Sequence, residues 1–176
     1  ISEDFINPNL KNFDDFFTYS NKIDVEVKAD VDTWAIMGQY QGKDTDTKYH
    51  DIYFPCELTV YVNDVKAYGL KEVGMRIKGN TTRPRKIIDS STGKFVSEPH
   101  LKLSFGETYD GDEYEIGPGN YYKHEWTDQT LRDARKDREM FDTEKIDFKY
   151  NATNDDTHLR QSYAYYTFES HGLIAP

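Results

Sequence analysis

The strongest constraint on the fold is a pair of apolar segments separated by two turn-forming residues. Residues 54–62 carry apolar side chains at every second position, which is the period of a strand with one buried face. Asn63 and Asp64 follow, a pair that commonly forms the turn of a hairpin, and residues 65–68 resume the apolar pattern. The sequence therefore predicts a β-hairpin at this point.

Further segments extend the pattern to a whole domain. Strands with a period of two are predicted over residues 23–28, 71–78, 101–105 and 146–150. Helices are predicted over residues 29–40 and 127–141, and a third is predicted to start at Asn154, Asp155 or Asp156 and to stop at Gly172. This mixture predicts an α+β fold, with a mainly antiparallel sheet and helices packed on it.

Two further regions, and one of the predicted helices, have distinct patterns of residues. Residues 1–22 contain several aromatic side chains and are predicted to form an N-terminal arm that packs through them. Residues 106–126 are rich in glycine and acidic residues and are predicted to form a long loop. In the helix over 127–141, Leu131, Ala134 and Phe141 are predicted to share the buried face, with the charges of residues 132–139 mainly in solvent.

Composition narrows the classes of function. The formal net charge is −10, so the surface repels nucleic-acid phosphates and anionic lipids, and neither is an expected partner. No apolar run approaches the roughly 20 residues that span a bilayer. The single cysteine, Cys56, lies among apolar neighbours and is predicted to be buried. One cysteine cannot build a cysteine-rich metal site, and no histidine spacing indicates a zinc site, so no metal ligand is predicted.

One segment is basic although the chain is acidic. Its five cations, within eleven residues, are Arg76, Lys78, Arg83, Arg85 and Lys86. Gly79 permits a tight turn and a close approach of the backbone to a ligand, and Asn80 offers a hydrogen-bonding side chain. Such a segment is suited to phosphate oxygens. The alternative is that the cations keep a strand soluble, or pair with the many carboxylates of the chain.

The same segment carries a resemblance to a known family. The stretch VGMRIKGNTTR, residues 73–83, resembles a strand and turn of the spore-coat CotH family, which typically reads V-G-x-R-x-K-G-N-S-S-R. The stretches KLSF at 102–105, KIDFKYN at 145–151 and DTHLR at 156–160 are similar to later family segments, and Ala164, Phe168, Gly172, Ala175 and Pro176 match the helix and its end. The resemblance covers residues 23–176.

The resemblance implies a function. CotH proteins resemble atypical protein kinases that bind ATP and Mg²⁺ and phosphorylate Ser or Thr of coat or surface proteins, so an extracellular, cell-surface or spore-coat location is implied. Residues 23–176 would be the N-lobe of such a protein, truncated on its C-terminal side, and its catalytic residues are unknown. The implied cofactor-binding residues are Arg76, Lys78, Gly79, Asn80, Arg83 and Lys102.

One departure from the family supports an alternative function. Many CotH sequences have a glutamate after the helix arginine, where it would pair with a strand lysine such as Lys102. This chain has Gln161 after Arg160, which weakens that pairing. The alternative is a non-catalytic, cell-surface or cellulosome-associated module with a binding or structural role. An acidic, tyrosine-rich exterior would suit binding to a protein or a glycan.

Overall fold

A computed structural model describes residues 4–10, 20–80 and 82–149, together with residues 12, 16, 18 and 171. The helices and strands, in chain order, are β1 Phe5–Ile6, β2 Ile23–Lys28, α1 Val31–Gln41, β3 Phe54–Val62, β4 Val65–Ile77, β5 Ile88–Asp89, β6 Lys94–Phe95, β7 Leu101–Ser104, α2 Gly119–Tyr122, α3 Gln129–Lys136 and β8 Lys145–Phe148. Short 3-10 helices lie at Thr47–Tyr49 and Asp112–Glu115. The predicted C-terminal helix and Gln161 lie outside the described residues.

The centre of the fold is an antiparallel sheet. Its strands run in the order β2-β3-β4-β7-β8, and β1 pairs with β4 away from this path. β5 and β6 form a separate small hairpin. Helix α1 contacts β3, β4 and β5. The α+β fold with an antiparallel sheet and packed helices is therefore confirmed.

The predicted hairpin is present, but its second strand is longer than predicted. Asn63 and Asp64 both have positive φ angles, 49° and 66°, as a two-residue hairpin turn of this hand requires. The segments predicted as separate strands, 65–68 and 71–78, are one strand, β4. A β-bulge joins them: Cys56 pairs with Val73 and Leu58 with Leu70, so two residues on β4 oppose one on β3.

The turn itself supports a first prediction. Replacing Asp64 by glycine should raise the free energy of unfolding by about 0.5–1 kcal/mol, because glycine adopts the positive φ of this position without a steric cost. The change also removes an ion pair with Lys22, but Asp64 is 81% exposed in that pair and such pairs contribute little. Thermal denaturation would measure the gain, and a lower melting temperature would contradict the prediction.

Helix α1 closely matches its prediction. It begins after Asp30 and buries Trp34 and Met37 against the sheet. Gly38 lies against the chain at residues 85–87, because a Cβ at this position would be 3.0 Å from the main-chain oxygen of Arg85. This close approach fixes the segment that follows the basic turn to the helix.

The predicted buried face of the helix over 127–141 is wrong for the two of its three residues that lie in the helix. Helix α3 ends at Lys136, and both Leu131 and Ala134 are exposed. The buried residue of the helix is Arg135, which is 4% exposed and donates hydrogen bonds to the main-chain oxygen and the carboxylate of Glu72. The bulge in β4 leaves the Glu72 carbonyl outside the strand ladder, and a buried arginine satisfies it.

The long loop contributes to the core. Residues 106–126 include a fully buried tyrosine, Tyr114, whose hydroxyl oxygen accepts a hydrogen bond from the backbone N–H of Tyr53.

Cys56 is buried as predicted, and burial raises its pKa to about 12, so the thiol stays protonated. In the arm, Phe16 is buried in the same core, in contact with the Phe141 ring. None of the helices within the described ranges has the length and apolar character needed to cross a bilayer.

Candidate functional site

Three neighbouring strands bring charged side chains into one row. Arg76 on β4 lies opposite Lys102 on β7, and Lys102 lies opposite Asp147 on β8. Residues directly opposite each other in antiparallel strands project from the same face of the sheet. Met75 and Ile77, the neighbours of Arg76, project into the core on the other face. We call Arg76, Lys102 and Asp147, with Lys78 beyond them, the charged row.

Arg76 is the most constrained member of the row. Its Nη1 donates to the Asp51 carboxylate at 2.6 Å and to the main-chain oxygen of His50. The guanidinium also lies over the ring of Tyr53, with its central carbon 5.3 Å from the ring centroid. The Nε atom of Arg76 is buried and has no hydrogen-bond partner among the described residues.

The next cations are held by the protein itself. Lys78 forms an ion pair with Asp147, and its backbone N–H donates to the oxygen of His100 at 2.8 Å. The Arg83 Nε donates to the main-chain oxygen of Gly79, and its Nη1 to that of Gln41. Burial, and then the positive charge of Arg76, lower the pKa of Arg83.

The turn that follows Lys78 has the backbone geometry that was predicted for Gly79. Gly79 has a φ of +107°, a conformation that side-chain-bearing residues rarely adopt. A Cβ there would also come within 2.7 Å of the Thr82 hydroxyl. Asn80 is exposed, next to this glycine. The two remaining basic residues form ion pairs with other carboxylates: Arg85 pairs with Asp44, and Lys86 with Asp89.

Lys102 differs from the other cations of the row. It is half-buried in the middle of the row, between Arg76 and Asp147. Within the described part of the chain it forms no ion pair, whereas Arg76 and Lys78 each have a carboxylate partner. Among the described residues it is therefore the cation of the row without an ion pair of its own, although Asp147 lies opposite it.

The structure adds three residues that sequence reasoning did not assign to the site. Asp51 and Asp147 are the carboxylate partners of the row. His50 lies beside it and is within hydrogen-bonding distance of the Thr45 hydroxyl, at 3.0 Å. Burial, and then the charge of Arg83, lower the pKa of His50, so its ring is neutral near pH 7. Of these three residues, Asp147 has a signal in the sequence: it alternates with the apolar Ile146 and Phe148, which places it on the polar face of the sheet.

The arrangement is suited to oxygen anions. Two of the predicted residues, Arg76 and Lys102, are direct cross-strand neighbours, and Lys78 joins them through Asp147. Arg83, Gly79 and Asn80 form the adjoining turn. The described residues contain no group of three or more His, Cys, Asp or Glu side chains that would hold a metal ion. No protein-family model matches the chain, and no curated protein or solved structure matches it either.

Proposed function

We propose that the charged row binds phosphate oxygens, and that the chain is the N-lobe of a CotH-like, ATP- and Mg²⁺-dependent protein kinase. In the complete protein it would act on Ser or Thr of coat or surface proteins outside the cytoplasm. The observation that carries the proposal is Lys102, a cation held in the middle of the row with no carboxylate partner among the described residues. Phosphoryl transfer depends on placing such positive charges at the phosphate oxygens.

The ion pairs of the row do not prevent phosphate binding. The Arg76 side chain is only 20% exposed, but Asp51 is 81% exposed, so solvent screens the pair from the side of the carboxylate and the pair contributes about 1 kcal/mol. A phosphate could therefore replace Asp51 at the Nη1 of Arg76 at little cost. Asp147 is more enclosed, so its pair with Lys78 should persist. We expect weak binding, because most of the interaction comes from one new ion pair at Lys102 and from one pair at Arg76 in which phosphate replaces Asp51.

The second prediction concerns this site. Titration with sodium tripolyphosphate, and separately with Mg-ATP, should shift the amide NMR signals of residues 76–79 and 101–103 with a dissociation constant of about 1 mM or above. Lys102→Ala should weaken binding about tenfold or more, because a charge-assisted hydrogen bond contributes about 1.5–3 kcal/mol. At such an affinity Mg-ATP should shift the melting temperature little.

Lys94→Ala is the matched control for the loss of one positive charge. Lys94 is exposed on the β5–β6 hairpin and forms no ion pair in the described structure. Its removal should leave both titrations unchanged. Equal affinity of the Lys102→Ala variant and the parent chain would refute the proposed site, as would shifts confined to other residues.

A specific observation favours a second candidate function, a non-catalytic surface or coat module with a binding or structural role. Arg76, Lys78 and Arg83 all contact oxygens of the protein itself, which is what a purely structural row requires. Under this alternative neither tripolyphosphate nor Mg-ATP binds at the row. The charge variants would then change only the stability of the chain.

A further inference from the structure

A second concave site lies apart from the charged row. It is a groove of about 690 Å³, between the start of α1, the beginning of β3, the bulge of β4 and residues 122–126. This volume lies within the range of about 300–1,000 Å³ that is usual for small-molecule sites. A small continuation of about 70 Å³ shares Glu72 and Trp126 with it and reaches Arg135. None of the residues of the charged row lines the groove.

Aromatic side chains form one wall of the groove. Tyr122, His124 and Trp126 line it at alternate positions of one short segment. Trp126 is held in place, because its indole N–H donates to the oxygen of Thr108 at 2.8 Å and the Arg135 guanidinium lies over its ring. Tyr122 is fixed by an edge-to-face contact with the buried Phe54 ring. Rings that are positioned before binding offer apolar contact area at a low entropic cost.

The charges around the groove cancel. Three cations and three anions line it and its continuation: Lys28, Lys71, Arg135, Asp30, Glu57 and Glu72. Two ion pairs, Lys71 with Glu57 and Arg135 with Glu72, join four of them. A cationic ligand would meet two lysines and a tryptophan already covered by an arginine, and an anionic ligand would meet three carboxylates. A neutral ligand avoids both repulsions.

The groove also offers hydrogen-bonding groups, two of which have little other role. Asp30 precedes helix α1, but its side chain makes no capping hydrogen bond to the helix. Lys28 forms no ion pair within the described ranges. The hydroxyl groups of Thr33 and Tyr122 lie 3.2 Å apart at the groove. A ligand rich in hydroxyl groups can donate to the carboxylate and accept from the ammonium group.

We propose that this groove binds a short stretch of neutral oligosaccharide. The apolar faces of sugar rings would pack on the aromatic wall, and their hydroxyl groups would bond to Asp30, Lys28 and the hydroxyl pair. A glycan ligand is consistent with either candidate function, because the groove and the charged row share no residue. Failure of phosphate binding would therefore leave this inference intact, and the reverse also holds.

The test compares ligands of one length and different charge. Neutral hexasaccharides of β-1,4-linked glucose, xylose and N-acetylglucosamine are titrated against the chain, followed by NMR of the amides of residues 28–33, 55–57 and 122–126. A galacturonic-acid hexamer and a glucosamine hexamer supply the negative and positive charges. We expect at least one neutral hexasaccharide to shift these signals, and at least about tenfold weaker binding of both charged hexamers.

Two aromatic variants test the position of the site. His124→Ala removes an exposed ring from the wall and should weaken binding of the neutral sugar about fivefold or more. Tyr121→Ala is the matched control, because Tyr121 is 76% exposed, neighbours the wall and does not line the groove. Asp30→Ala should also weaken binding, and its amide spectrum reports whether the chain remains folded.

Three outcomes would overturn the inference. The first is that none of the neutral hexasaccharides shifts the groove signals. The second is that a charged hexamer binds as tightly as the neutral ones, and the third is that His124→Ala and Tyr121→Ala have equal effects. If no sugar shifts these signals but an uncharged Gly-Ser-Thr peptide does, the groove is a peptide site.

Discussion

Replacing Gln41 by leucine is expected to lower the free energy of unfolding by about 3 kcal/mol, which corresponds to a fall in melting temperature of about 6–12 °C for a chain of this length. Gln41 is the last residue of α1 and is fully buried. Its Nε2 donates to the main-chain oxygens of Tyr49 and Ile52, at 2.8 and 2.6 Å. Its Oε1 accepts from the backbone N–H of Ile77 at 2.9 Å.

The size of the effect follows from where these bonds lie. The ladder between β3 and β4 ends at the pair of Phe54 and Met75, so the backbone groups of Ile52 and Ile77 do not hydrogen-bond to each other. The side-chain amide of Gln41 bridges them. Leucine has a similar size but no polar atoms, so it would leave a buried N–H and at least one buried carbonyl unsatisfied, at about 1–3 kcal/mol each. Its greater hydrophobicity offsets part of that cost.

Gln39→Leu is the matched control. It makes the same chemical change two residues earlier in the helix, where the side chain is exposed, and should alter stability by no more than about 0.5 kcal/mol. Chemical denaturation of the two variants and the parent chain measures the difference. Similar stability of the Gln41→Leu and Gln39→Leu variants would show that the buried bridge has no energetic role.

The parts of the fold that the sequence predicted are those with local causes. Asn63 and Asp64 favour a tight turn by their own backbone preferences, so the hairpin could be located without knowledge of the rest of the chain. The alternation in residues 101–105 likewise reflects a strand with one buried face. In contrast, the bulge at Glu72 has a φ of +49°, although neither Glu72 nor its neighbours Lys71 and Val73 is a glycine or an asparagine. Its stabilising contacts come from residues 37 to 66 positions later in the chain.

The candidate site shows the same division. The basic residues from Arg76 to Arg83 could be identified from their density in an acidic chain. Their arrangement could not, because the pairing of Arg76 with Lys102 and of Lys102 with Asp147 depends on the register of three strands. A shift of one residue would move every side chain of a strand to the opposite face. The aromatic groove escaped prediction because its wall lies in a segment that reads as a loop.

The burial of two arginines, Arg135 and Arg138, was not predicted either. The second of them supports the last prediction of an experimental result. Arg138 follows α3 in a run of charges that is typical of a solvated helix face, yet its side chain is 11% exposed. It donates to the main-chain oxygens of Phe105 and Lys71, both at 2.7 Å, and of Glu72 at 3.2 Å. Burial, and then the nearby charge of Arg135, lower its pKa. The guanidinium thus joins the bulge of β4 to the end of β7.

Arg138→Met should therefore lower the free energy of unfolding by about 3–4 kcal/mol, because methionine fills the space but leaves the carbonyls of Phe105 and Lys71 without these donors. Lys136→Met changes an exposed cation of the same segment and should cost no more than about 0.5 kcal/mol. Chemical denaturation of both variants measures the difference. Amide hydrogen exchange at residues 70–73 should also be faster in Arg138→Met, because the bulge loses the hydrogen bonds that Arg138 donates to it. Unchanged exchange there, with unchanged stability, would mean that the bulge is held by Arg135 and Tyr109 alone.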